Sequence, residues 1–130
     1  MTRGHLLDAS ALLAVIFNEP GGDRVREVAD DCQIHAVNLA EVMRKMVAVG
    51  MPADEVIAQI EALNLDVVEE LGVKQVHEIA RLAPEAKRLG LSIGDCVCLT
   101  TAECNDMVAV TAERRWPEIN GRKVKILLIR

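Results

Sequence analysis

Apolar residues in this chain come in short blocks whose spacing keeps switching between two periods. Continuous or alternating runs mark strands at about Leu6-Leu7, Cys32–Ala36, Leu65–Glu69, Met107–Thr111 and Lys125–Ile129. Between them, residues three and four apart repeat as they do on one face of a helix. That spacing predicts helices over Ser10–Phe17, with Leu12, Leu13, Ile16 and Phe17 inward, and over Asp23–Ala29, with Val25 and Val28. Asn38, with Glu41 in the capping-box position, opens a helix ending near Gly50, and Pro52–Leu63 forms its hairpin partner. Met43, Met46 and Met51 flank that pair as flexible core filler. Val73–Leu82, carrying Val76, Ile79 and Ala80, is a further helix, followed by a separate turn from Pro84 to Gly90. His77 falls on its exposed or boundary side. Ser92 caps a last helix that runs to about Cys104 and is apolar on nearly every side, with Asp95 at its third position. Trp116 is the one large aromatic anchor in the turn that follows the fourth strand.

Strands alternating with helices predict an α/β fold with a mostly parallel sheet covered on both faces. A chain of 130 residues fits one domain, 1–130. No apolar run reaches the roughly 20 residues that cross a bilayer, and no secretory signal is legible. The expectation is a cytoplasmic protein with no membrane partner. The four cysteines lack paired C-x-x-C spacing, so zinc is disfavoured against reduced, buried thiols.

The net charge of −5 argues against a generally basic nucleic-acid binder. Its distribution changes that picture at the C-terminus. Arg114, Arg115, Arg122, Lys123, Lys125 and Arg130 meet only Glu113 and Glu118 there. A solvated terminal face explains such a tail, and so does guidance of phosphates toward an acidic site.

Four acids stand in apolar settings where an unpaired carboxylate is costly. Asp8 ends the first strand and Glu113 ends the fourth. Glu41 and Asp95 lie in the first turns of helices, where capping is the ordinary explanation. In a parallel sheet the functional crevice lies beyond the carboxyl ends of the strands, and that topology gathers all four at one edge. Two carboxylates about 4 Å apart repel by about 4 kcal/mol at an effective dielectric near 20. A hard dication relieves this, and oxygen-only ligands favour Mg²⁺ or Mn²⁺. Ser10, Asn38 and Thr111 are candidates to orient the ligands from behind. An aspartate after the first strand also serves phosphatases that form an aspartyl-phosphate, but those place a second aspartate where this chain has Ser10.

The motifs Leu6-Leu7-Asp8-Ala9-Ser10-Ala11-Leu12-Leu13-Ala14, Val37-Asn38-Leu39-Ala40-Glu41-Val42, Leu91-Ser92-Ile93-Gly94-Asp95 and Thr111-Ala112-Glu113-Arg114-Arg115-Trp116 resemble those of PIN-domain ribonucleases. Among these the chain is most similar to the VapC toxins of toxin–antitoxin modules. The resemblance implies a three-layer α/β/α sandwich and a metal-dependent endoribonuclease that cleaves RNA phosphodiester bonds. It also implies a homodimer and neutralisation by a cognate antitoxin whose C-terminal segment crosses the active site. Asp8, Glu41 and Asp95 match the core acids. Asp8 and Asp95 would contact metal, Glu41 directly or through water. Glu113 departs from the pattern, where aspartate is usual, and its longer side chain leaves open whether it ligates. Arg114 and Arg115 are candidate RNA contacts. The alternative is a PIN-like module that binds RNA or protein without turnover.

Overall fold

The computed structural model describes residues 4–130. Five strands form the sheet: β1 (His5–Leu7), β2 (Cys32–His35), β3 (Asp66–Val68), β4 (Val108–Thr111) and β5 (Lys125–Leu128). Their order is β3-β2-β1-β4-β5, and every pairing is parallel. The helices are α1 (Ala9–Ile16), α2 (Gly22–Glu27), α3 (Ala36–Ala48), α4 (Ala53–Ala62), α5 (Val73–Leu89) and α6 (Ile93–Cys104). Among the described residues, none is long and apolar enough to cross a membrane.

Side-chain alternation along the strands produces the three layers. Leu7, Ile34 and Val110 pack with residues of α1, α3 and α4 on one face. Their neighbours Leu6 and Ala109 pack with α5, α6 and Trp116 on the other. Because β1 and β4 are covered on both sides, they read as unbroken apolar runs rather than alternating ones. Trp116 is fully buried, as expected of the single anchor.

Several local expectations are corrected. Helix α3 starts at Ala36, and its cap is His35, whose Nδ1 accepts the Val37 N–H at 3.1 Å. His35 Nε2 lies 2.8 Å from the Glu70 carbonyl, which completes a neutral imidazole with one donor and one acceptor. Asn38 is therefore no cap but a buried residue inside the helix, and the capping role expected for Glu41 disappears. Helix α2 ends at Glu27 and gives way to a 3-10 turn at Ala29–Asp31.

Helix α5 runs unbroken through Pro84. Pro84 and Ala80 both lie on its exposed side, where water can take the carbonyl that the missing N–H leaves free. On the same helix Val76 is exposed and Gln75 is buried, the reverse of the expected face. Gln75 Nε2 reaches the Val97 carbonyl, Thr100 and Thr101 on α6, so a polar tie replaces an apolar contact. Phe17, expected in the core, is 40% exposed just past the end of α1, and Ile16 is only partly buried. His77 is exposed, and Cys32, Cys96, Cys98 and Cys104 are all free thiols.

Candidate active site

The chain reverses direction across the sheet between β1 and β4, and Asp8 sits at that switch. It directly follows β1 and caps α1, accepting the Ala11 N–H at 2.8 Å. Ser10 Oγ lies 2.7 and 2.9 Å from the two Asp8 oxygens, and Thr111 donates from β4 at 2.6 Å. Those hydroxyls are themselves fixed, because Ser10 accepts the Ala112 N–H and Thr111 accepts the Glu113 N–H, each at 2.9 Å. Asp8 is only 2% exposed. Burial pushes its carboxyl up to about 6, against the lowering effect of these three donors, and the charge of Asp95 adds to the rise.

Asp95 is held on α6 by a capping box. Its carboxylate accepts the Ser92 N–H at 2.9 Å, while Ser92 Oγ accepts the Asp95 N–H at 3.1 Å. The ordinary explanation for this acid thus holds. It still acts on its neighbours, because its charge raises both Asp8 and Glu41.

Glu41 arrives from α3, its carboxyl raised by burial first and by Asp95 second. Lys45 and Arg44 offset part of that rise, and Lys45 lies one helical turn further along α3. The side chain passes over Gly94, where any Cβ would overlap Glu41 Oε1. Asn38 Nδ2 donates to the Gly94 carbonyl at 3.0 Å and stands 3.5 Å from Glu41 Oε1. Its Oδ1 is buried and has no hydrogen-bond partner among the described residues.

Three of the four predicted acids are therefore brought together from β1–α1, α3 and α6. The thiol of Cys98, buried behind them, is pushed up by its own burial and by the charges of all three. Glu113 is tied to this centre through its backbone, but its side chain is exposed and borders an open pocket with Ser10 and Lys45. Arg114 and Arg115 are exposed, and Arg115 pairs with Glu118 at 3.9 Å. Of the other residues singled out, Ser10 and Thr111 bond to Asp8, and Asn38 bonds to the Gly94 carbonyl beside Glu41. Two contributors went unforeseen. A glycine inside a helix, next to Asp95, was the available signal for Gly94, and spacing of four from Glu41 was the signal for Lys45.

Among the described residues, no three His, Cys, Asp or Glu groups already form one ligand shell. The donor set nonetheless fits a hard cation. All three acids offer oxygen, ionising Asp8 is costly without a counter-charge, and the buried Asn38 Oδ1 lacks a donor that an ordered water could supply. Mg²⁺ in particular keeps several waters and takes only one or two carboxylates directly.

Solved structures with this architecture include DNA-bound VapBC from Salmonella typhimurium, with a TM-score of 0.74, 20% identity and full coverage of both chains. VapBC-1 from nontypeable Haemophilus influenzae gives 0.73 at 15% identity, over 95% of this chain and 96% of that one. VapBC2 from Rickettsia felis, bound to a promoter DNA fragment, gives 0.71 at 15%, over 95% and 98%. No curated protein sequence gives a significant match. A model of the PIN domain matches residues 5–122, from the first residue of β1 to beyond the turn that buries Trp116, and this chain belongs to the PIN-domain family.

Proposed function

We propose that this protein is a metal-dependent endoribonuclease of the VapC type, which hydrolyses RNA phosphodiester bonds and is neutralised by a cognate antitoxin. The observation that carries the reading is the meeting of Asp8, Glu41 and Asp95 at the switch point of the sheet, each on a different element. PIN-family membership and the shared architecture of three bacterial VapBC complexes support it. In this reading the protein works in the cytoplasm, as a homodimer.

Asp8 and Asp95 would hold Mg²⁺ or Mn²⁺, with Glu41 ligating directly or through water. Such an ion lowers the pKa of bound water and offsets charge on the scissile phosphate. The chain supplies the rest. Ser10, Thr111 and the Ala11 N–H fix the Asp8 carboxylate, so little reorganisation is needed when substrate arrives. Asn38 and the bare backbone of Gly94 set the position of Glu41. Lys45 brings positive charge beside an otherwise acidic centre. The exposed carboxylate of Glu113 is free to engage a second, weaker cation.

Purified protein incubated with single-stranded RNA and Mg²⁺ or Mn²⁺ tests this, beside Asp8→Asn and Asp95→Asn controls. Cleavage by the wild type and its loss in both variants is expected. Equal cleavage by all three would assign the activity to a contaminant. RNA binding without any cleavage would favour a binding module.

A further inference from the structure

An open pocket of about 390 Å³ lies beside the acid centre, between α1, the end of α3 and the C-terminal Arg130. That volume is in the range of about 300–1,000 Å³ typical of small-ligand sites. Leu13, Phe17 and Val49 form its apolar part, and Lys45 and Glu113 stand at its border. The pocket is continuous with the centre through Ser10, which both lines it and bonds to Asp8.

We propose that this pocket is a subsite for one nucleotide of single-stranded RNA flanking the scissile phosphate, its base stacked on Phe17 and its phosphate paired with Lys45. The proposal rests on the nuclease reading and adds the residues that receive substrate. Phe17 is the chain's single phenylalanine, and it leaves the core although its helical spacing points inward. An exposed ring beside a cation is what sequence-tolerant single-strand binding uses, since every base has a face to stack. Arg130 is already committed, bonding to the Pro20 carbonyl at 2.9 Å and pairing with Glu19 at 3.5 Å. The Lys45 side chain makes no ion pair or hydrogen bond among the described residues, and beyond its longer-range effect on Glu41 its charge is open to a phosphate.

The test measures binding of a fluorescein-labelled single-stranded RNA of mixed sequence to full-length protein, in an Asp8→Asn background that separates binding from cleavage. Anisotropy is recorded across a salt series. Phe17→Leu is expected to weaken binding by about 5-fold or more, and Phe17→Tyr to restore it. Lys45→Gln is expected to flatten the slope of log K against log salt by about 0.7, the contribution of one single-strand phosphate, with Lys45→Arg retaining it. Unchanged affinity and slope in Phe17→Leu and Lys45→Gln would overturn the subsite. Loss of antitoxin binding in Phe17→Leu, with RNA affinity intact, would also overturn it and make this face a protein-docking surface. A wild type that binds RNA with these same dependences but never cleaves it would sink the nuclease reading and leave the subsite standing.

Discussion

Thr111 donates its hydroxyl hydrogen to Asp8 Oδ2 at 2.6 Å, joining the ends of β4 and β1 across the point where the chain changes direction. The same oxygen of Thr111 accepts the Glu113 N–H, so one hydroxyl couples the buried acid to the backbone of the exposed one. Replacing Thr111 with valine keeps the shape but removes a donor that lowers the Asp8 pKa. Thr111→Val should therefore raise the Asp8 titration above about 6 and cost about 1–3 kcal/mol of stability. Thr111→Ser should restore both. Carboxyl-carbon NMR of the metal-free protein and urea unfolding give the two readouts, and an unmoved titration would refute the coupling.

The elevated Asp8 pKa fixes a pH dependence of stability. Its ordinary value is 3.8 and its folded value is about 6, so between those pH values the native state holds more protons than the unfolded chain. By linkage, stability falls as pH rises through that window, and the full cost persists above it. Two units correspond to at most about 3 kcal/mol. In metal-free protein, Asp8→Asn should thus melt several degrees higher than wild type at pH 8, and the gap should close near pH 4. A variant less stable than wild type at pH 8 would contradict this.

Gly94 and Glu41 compete for one space. Gly94→Ala should displace the Glu41 carboxylate and lower RNA cleavage at least about 10-fold while leaving the circular dichroism spectrum unchanged. Shortening the acid makes room, so Gly94→Ala combined with Glu41→Asp should be no worse than Glu41→Asp alone. Additive losses in the double variant would show that the two residues act independently.

Glu113 yields a prediction in the opposite direction. Its side chain is exposed and outside the cluster of three, so Glu113→Asp should preserve or raise cleavage. A clear loss of kcat would mean that the glutamate's extra length is itself required.

Much of this arrangement was legible because parallel strands buried on both faces leave few polar positions to explain. Asp8 and Asp95 stood out against Leu6-Leu7 and Cys96–Leu99, and topology alone put them at one edge. The same logic gave the layer order and the Ser92 cap. It failed wherever a single residue competed with a pattern. At the start of α3, an imidazole with a free Nδ1 took the cap that Asn38 suggested. On α5, buried hydrogen bonds from Gln75 outweighed the apolar claim of Val76. Phe17 followed helical spacing up to the residue where its helix stops, and so ended outside the core. The overlap of Gly94 with Glu41 has no periodic signature, since it depends on how close α3 and α6 approach.

Calorimetric titration of the purified, metal-free protein with Mn²⁺ shows whether Asp8, Glu41 and Asp95 hold one cation. Saturable uptake is expected of the wild type, weakened at least about 10-fold in Asp8→Asn and in Asp95→Asn, and to a smaller degree in Glu41→Gln. Equal Mn²⁺ affinity in the wild type and all three variants would contradict a shared site.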